Sequence, residues 1–291
     1  TNDLNYDQRM IRIGNSLVKE GYKVKLIGRK FRNAGALQKK NYEQKRLFLF
    51  FQKGFGFYFE YNLKLFFYLL FQKSDVLCCI DLDTVIPVFF AAFLKRKIKV
   101  YDAHEYFSQQ KEIVTRPGIY RFWYFIEKTF LPKFKKGYTV SESIAIEFSK
   151  KYGVEYSVIR NMPLLKNSPV AAFNPNTLIY QGSINEARGF EFLIPAMATV
   201  NATLFIYGDG NFLEQAKLLT KEKELEQKII FKGKLLPEHL DLATRTAMIG
   251  INLIEPVGKS TVFSLANKFF DYMHNGIPQV TMDFPEYKRI N

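Results

Sequence analysis

The sequence predicts an α/β protein built from two parallel-sheet domains. Three observations carry this. Short apolar runs rich in Val, Ile, Tyr and Phe alternate with longer helical segments along the chain, the pattern of parallel strands covered on both faces. The alternation occurs in two series, with a polar, Pro-containing stretch between them. A chain of 291 residues is also long enough to bury two cores.

In the first series a helix over Gln8 to Lys19 is closed by Gly21 and followed by a strand from Tyr22 to Gly28. Val76 to Ile80 is a buried strand, with a helix after it from about Thr84 to Leu94. Ile98 to Tyr101 and Gly137 to Val140 are further strands, and Ser141 or Ser143 caps the helix that follows. In the second series Thr177 to Tyr180, Ala202 to Tyr207, Lys228 to Lys232 and Met248 to Ile254 read as strands. Gly189 to Met197, Phe212 to Leu219 and Pro237 to Ala243 read as the helices between them. A last helix in the stretch Ser264 to Asn275 stops at Gly276, and Pro278 leads into a short strand from Gln279 to Met282. Between the series, Ile159 to Pro163 opens a linker that runs to Asn176, which sets domains at 1–163 and 164–291. Two such sheets joined by one linker suggest a cleft, with ligands outside the carboxyl ends of the strands.

Charge is unevenly placed. Residues 1–163 hold 29 Lys and Arg against 15 Asp and Glu, whereas residues 164–291 hold 13 of each. The first half therefore carries the whole net charge of +14, which suits a polyanionic partner such as an anionic membrane, a nucleic acid or an acidic glycan. No RNA-binding signature accompanies it. Cys78 and Cys79 are adjacent, so a disulfide between them is disfavoured, and they read as small core residues of a reduced, cytoplasmic protein. No signal-peptide pattern opens the sequence. The oily stretch Leu47 to Phe71 is interrupted by Lys53, Glu60 and Lys64. Its longest unbroken run falls far short of the roughly 20 residues of a spanning helix, which leaves an amphipathic helix lying on a surface.

The chemistry-bearing residues sit at expected strand ends. Ser264, Leu265, Ala266, Asn267 and Lys268 open the last helix, where backbone N–H groups and a positive dipole suit a phosphate. Asp271, one turn further, can grip a sugar hydroxyl. Gly182 and Ser183 follow the first strand of the second series, and Arg188 stands at the start of the next helix, an arrangement suited to a pyrophosphate. Gly208-Asp209-Gly210 is either a tight turn or a ligand contact. In the first series, His104 stands between Asp102 and Glu105 at a strand mouth, either structural or able to polarise a bound sugar with a carboxylate holding its tautomer. Asp81-Leu82-Asp83 has the look of a paired metal ligand, but capping of the following helix accounts for Asp83, and no metal is expected. No Walker loop, nucleophile elbow or His-Glu-x-x-His site occurs.

Taken in order, Asp7-Gln8-Arg9, Tyr101 to Glu105, Thr139 to Ser143, Arg160 to Pro163, Tyr180 to Ser183 with Arg188-Gly189, Gly208-Asp209-Gly210, Phe231-Lys232-Gly233 and Asn267 to Tyr272 resemble the family-4 glycosyltransferases of GT-B fold, in particular bacterial members of surface-polysaccharide assembly. The resemblance covers nearly the whole chain. It implies two Rossmann-like domains facing across a cleft, and a retaining, metal-independent hexosyl transfer with no cofactor beyond a donor substrate, a UDP- or GDP-type sugar, bound on the second domain. Arg188 falls where the family places a basic residue on the pyrophosphate, Asp271 where it usually places a ribose-binding Glu, and His104 where a His lies beside the transferred sugar. Ser183 stands where many members carry a second basic residue, and Phe263 where many carry a second Glu. Backbone groups of Ser264 to Asn267, or Glu255, are then the expected sugar contacts. Both ends of the chain look clipped against the family pattern, which begins with an earlier strand and ends with a helix returning to the first domain.

The leading reading is a cytoplasmic glycosyltransferase, peripheral on the inner face of the cell membrane, that passes a sugar to a glycan or lipid-linked acceptor. The alternatives are a nucleotide-sugar epimerase of the same fold, and a non-catalytic polyanion-binding protein.

Overall fold

The computed structural model describes residues 4–5, 7–32, 34–165 and 174–290. In chain order the elements are α1 (Gln8–Lys19), β1 (Lys25–Arg29), β2 (Glu43–Leu47), α2 (Gly54–Phe71), β3 (Val76–Ile80), α3 (Val85–Leu94), β4 (Ile98–Ala103), α4 (Lys111–Val114), α5 (Pro117–Phe130), β5 (Lys136–Thr139), α6 (Glu142–Tyr152) and β6 (Ser157–Val158). The second series gives β7 (Thr177–Gln181), α7 (Phe190–Ala196), β8 (Thr203–Tyr207), α8 (Leu213–Glu222), β9 (Ile229–Gly233), α9 (Pro237–Thr246) and β10 (Ile249–Asn252). It ends with α10 (Gly258–Val262), α11 (Asn267–His274), β11 (Gln279–Thr281) and α12 (Pro285–Ile290). Of the interseries stretch, residues 166–173 lie outside the described residues.

The chain forms two compact units. One comprises residues 1–108, 118–139 and 147–157, and the other residues 109–117, 140–146 and 158–291. In the first unit the strands fall into two sheets. β1 pairs with β2, and a separate sheet runs β3-β4-β5-β6. A continuous ladder from β1 to β3, as a single sheet would need, is not formed. The β1–β2, β3–β4 and β4–β5 pairs are parallel. The second unit has one sheet in the order β11-β10-β7-β8-β9, and the pairs that carry its register are all parallel. Its core gathers Tyr180, Phe190, Ile194, Leu204, Ile206 and Ile229 between the sheet and α7 and α8.

Several local features follow from sequence. Asp7 caps α1 by accepting the N–H of Met10 at 3.1 Å, and Ser141 caps α6 by accepting that of Ile144 at 3.4 Å. Cys79 is buried, as expected of a core residue, but Cys78 on the opposite face of β3 is exposed, because neighbours on a strand point opposite ways. Both thiols are free.

The largest departure concerns α2. An amphipathic helix has one polar face, and α2 has none. Phe57, Tyr61, Leu65 and Leu69 are buried at i, i+4 spacing, while Phe55, Phe59, Leu63, Phe67 and Phe71 repeat the same spacing on the exposed side. Its two charged side chains, Glu60 and Lys64, pair with each other at 2.6 Å.

Candidate functional site

Register places the residues at the mouths of β7 and its neighbours. Gln181 is the last residue of β7 and lies beside Tyr207, the last of β8. The turns that leave these strands are bonded together. The N–H of Gly182 donates to Tyr207 O at 2.9 Å, that of Ile184 to Asp209 O at 3.0 Å, and that of Phe212 to Ile184 O at 2.9 Å. A side chain on Gly208 would start 1.8 Å from Gly182 O, and one on Gly210 would start 2.1 Å from Ile184 O. Gly208 also has φ of 150°. The Gly-Asp-Gly sequence is therefore required by backbone approach, and its glycines shape the turn that carries Gly182.

Helix α11 docks on this sheet through Tyr272. Its buried hydroxyl lies 3.3 Å from Ile179 O on β7 and 3.2 Å from Ile251 O on β10. Gly250 makes room, since a Cβ there would meet the Tyr272 ring at 2.6 Å. No side chain caps the start of α11. Of the backbone donors expected there, Ser264 N–H is spent on Thr261 O and Ala266 N–H approaches Tyr287 Oη at 3.3 Å. Leu265 packs against the cluster around Phe269, Phe270 and Tyr287. Asn267 Oδ1 accepts from Asn161 Nδ2 at 3.1 Å.

Docked in this way, α11 turns Lys268 toward the mouth of β7. Its Nζ lies 3.5 Å from the centre of the Tyr180 ring, and Gly182 is its neighbour across the turn. The ammonium is withdrawn from water and has no hydrogen-bond partner among the described residues. Burial, and then the charge of Arg188, push its pKa well below the usual lysine value, and Asp271 pulls the other way. A buried lysine with no hydrogen bond among the described residues, within electrostatic reach of Arg188, is a costly arrangement for an empty protein and a favourable one for an anion.

Asp271, one turn along α11, is held by a chain that begins in the core. Thr244 Oγ1 on α9 donates to Gln181 Oε1 at 2.6 Å, and Gln181 Nε2 donates to Asp271 Oδ2 at 2.9 Å. Thr244 and Gln181 are both buried. An acceptor toward Thr244 and a donor toward a carboxylate fix which way the Gln181 amide points. Sequence reading singled out neither residue. The signal for Gln181 was its place as the last inward residue of a strand, immediately before Gly182. Asn252, buried at the end of β10 and facing the Tyr287 hydroxyl, was also missed.

The remaining expected residues are more peripheral. Ser183 is exposed, with its carbonyl accepting from Tyr180 Oη at 2.7 Å. Glu255 is fixed through its backbone N–H to Ala187 O at 3.0 Å.

In the first unit the strand mouth is arranged differently from the expectation. Asp102 is fully buried and receives Arg9 Nη1 and Nη2, both at 2.6 Å, and the Tyr138 hydroxyl at 2.8 Å. The carboxylate that serves His104 is Asp81, because Ile80 pairs with Asp102 and the next residues of the two strands come level. Asp81 Oδ1 accepts the His104 N–H at 2.9 Å, and Oδ2 lies 3.6 Å from Nδ1. Burial lowers the His104 pKa, but Asp81 outweighs it and the net shift is upward. Asp81 adopts φ of 56°, a conformation non-glycine residues rarely take. Among the described residues one trio, Asp81, His104 and Glu105, brings possible metal-ligand atoms within 4.8 Å of one another. Asp81 Oδ1 already takes the His104 backbone N–H and Oδ2 faces the imidazole, so Asp81 orients the histidine as it stands.

Residues 175–290 match the family model described as Glycosyl transferases group 1. No curated protein matches the chain. Among solved structures, the apo form of the lipopolysaccharide outer core galactosyltransferase WaaB aligns with a TM-score of 0.62 at 15% identity, covering 91% of this chain and 82% of that one. Anabaena Alr3699/HepE in complex with UDP aligns with a TM-score of 0.62 at 15% identity, covering 93% and 83%. Sucrose-phosphate synthase from Thermosynechococcus elongatus aligns with a TM-score of 0.66 at 14% identity, covering 94% and 74%. At these identities the likeness shows the fold, the parallel α/β architecture of GT-B glycosyltransferases.

Proposed function

We propose that this protein is a retaining glycosyltransferase that moves a hexosyl group from a nucleotide-diphosphate sugar to a glycan or lipid-linked acceptor in cell-surface polysaccharide synthesis. The observation that carries this reading is the buried Lys268 Nζ, which has no hydrogen bond among the described residues and stands beside Gly182, within electrostatic reach of Arg188 and one turn from Asp271. It lies in the segment that matches the glycosyltransferase model, and UDP is the ligand in the complex of a structural neighbour.

In this reading the diphosphate lies between Lys268 and Arg188. Lys268 supplies from α11 the second positive charge that Ser183 does not. Asp271, braced by Gln181, takes the ribose hydroxyls. In the reaction the bond from the anomeric carbon to the diphosphate oxygen breaks, and its electron pair leaves with the diphosphate. A new bond forms from that carbon to the acceptor oxygen, whose proton is released. Two fixed cations in a site shielded from water stabilise the charge building on the leaving group, which is the role a divalent metal would otherwise take. Metal independence, and the absence of any cofactor beyond the donor, are part of the proposal. His104, oriented by Asp81, is assigned to the transferred sugar. The reading includes a cytoplasmic location at the anionic inner face of the cell membrane and no nucleic acid as partner, and the excess of Lys and Arg in the first half supports the membrane part of it.

A thermal-shift screen against UDP, GDP, ADP and their sugars tests the reading. At least one nucleotide diphosphate should raise the melting temperature, and Arg188→Ala should abolish that rise. No shift with any of them, or a shift that survives both Arg188→Ala and Lys268→Met, overturns it.

A further inference from the structure

The outer face of α2 is the most conspicuous surface that the donor site does not use. Phe55, Phe59, Leu63, Phe67 and Phe71 are 75%, 61%, 46%, 51% and 82% exposed, and they form one stripe at every fourth residue along 18 residues of helix. Side chains four apart are neighbours offset by about 40° around the axis, so the stripe is continuous and winds along the helix. The loop before α2 adds exposed Phe48, Phe50 and Phe51. That loop is fastened to the helix. Glu60 accepts the N–H groups of Phe50 and Phe51 at 2.9 Å, and pairs with Lys64. Although desolvation opposes it, Lys64 and these two N–H groups bring the Glu60 carboxyl down to about 2, so the clasp persists at any physiological pH. Helix α3, which packs on α2, exposes Phe93 and Leu94. An aromatic surface held in place in this way is preformed rather than a by-product of loose packing.

We propose that this face is a hydrophobic wedge that enters the interfacial region of an anionic lipid bilayer, with α2 lying in the membrane plane. Charge decides among possible occupants. Lys53 and Lys73 flank the helix at its two ends, and Lys95 and Arg96 stand at the end of α3. Lys95 also reaches the α2 C-terminus, donating to the carbonyls of Leu69 and Gln72. Long basic side chains around an apolar face can lie along it and place their charges at lipid phosphates. A second copy of this chain would bring the same cations together and be repelled. Insertion is shallow. Among the described residues no helix is long and apolar enough to cross a membrane, and Glu60 and Lys64 interrupt α2 at its centre. This goes beyond electrostatic adsorption, because hydrocarbon contact by a named face gives a binding component that salt does not remove.

The test uses the whole chain and vesicles of phosphatidylcholine with and without phosphatidylglycerol. Sedimentation should show binding to the anionic vesicles, with a residue of binding surviving high salt. The triple variant Phe55→Ser, Phe59→Ser, Phe67→Ser should lower the partition coefficient by at least about 50-fold and remove the salt-resistant part. Phe192→Ser, at an exposed phenylalanine of the other unit, should change nothing. A Phe67→Trp variant keeps the apolar face and should be quenched by lipids brominated on the upper acyl chain. The proposal is overturned if wild-type protein ignores anionic vesicles, if binding vanishes entirely at high salt, or if brominated lipid leaves the Phe67→Trp signal unchanged. It is equally overturned if sedimentation equilibrium finds a dimer that Phe59→Ser splits while vesicle binding is unaffected. None of these measurements depends on a nucleotide sugar, so the outcome is separate from that of the donor-site assignment.

Discussion

Arg9 and Lys268 are both cations withdrawn from water at a strand mouth, one in each unit, and they differ in partners. Arg9 is clamped on Asp102, which also takes the Tyr138 hydroxyl. Lys268 has a tyrosine ring below it and a second cation near it. A buried charge with every hydrogen bond made holds a structure together, and removing one partner strands the other. A buried charge without a hydrogen bond costs the folded state and is maintained for something that arrives later. On the proposed reading, the contrast separates a cation that holds the fold, Arg9, from one held ready for an anion, Lys268.

The most severe way to break the contrast is Arg9→Met. It leaves Asp102 buried without its counter-ion and should cost about 3–5 kcal/mol in chemical denaturation. A loss below about 1 kcal/mol would mean that the pair contributes little. Lys268→Met should do the reverse. It removes an uncompensated charge, so unliganded stability should hold or rise, while affinity for a nucleoside diphosphate falls by about 2–3 kcal/mol, on the order of 100-fold. A variant that loses stability and affinity together would make Lys268 a structural residue.

Proton linkage sharpens the point. The native Lys268 pKa is depressed and the unfolded value is about 10.4, so between those values the unfolded chain binds the extra proton and stability rises with pH. Anion binding favours the charged form. Calorimetry in buffers of different ionisation heat should therefore show proton uptake on binding, with affinity falling as pH rises through the depressed value, and Lys268→Met should remove both effects. A smaller effect is expected at Asp271. Gln181→Leu should weaken a ribonucleoside diphosphate about tenfold and its 2′,3′-dideoxy analogue hardly at all. Equal losses for both ligands would show that Gln181 supports only the fold. The smallest change is at His104. Its folded pKa lies above the usual value, so its contribution to stability is present at low pH and is lost as pH rises through that folded pKa. Asp81→Asn should move the imidazole titration downward by NMR, and an unmoved titration would leave Asp81 without that role.

The strands and the Gly-linked turns of the second unit were legible because their periodicity and punctuation are local. So were Arg188, Lys268 and Asp271 as residues near a strand mouth. Three features were not legible, for three physical reasons. Asp81 and Asp102 are both acids at strand ends, and only the β3–β4 register decides which one meets His104. Lys268 reads in sequence only as one of the residues that open the last helix, and its burial comes from the docking of α11 on the sheet through Tyr272. Helix α2 has apolar residues at every phase of its turn, so periodicity could not distinguish a covered face from an uncovered one.

The single tryptophan has a consequence of its own. Trp123 lies in the first unit, edge-on to Tyr58 of α2 at 5.3 Å and to Phe107 at 4.9 Å. Excited at the red edge of protein absorption, the molecule emits from one place only, the seam between α2 and α5. Fluorescence therefore records the melting of that unit, while heat absorption records both. Comparing the two signals in one scan, with and without a nucleotide diphosphate, reads whether a ligand held by one half of the chain is felt by the other.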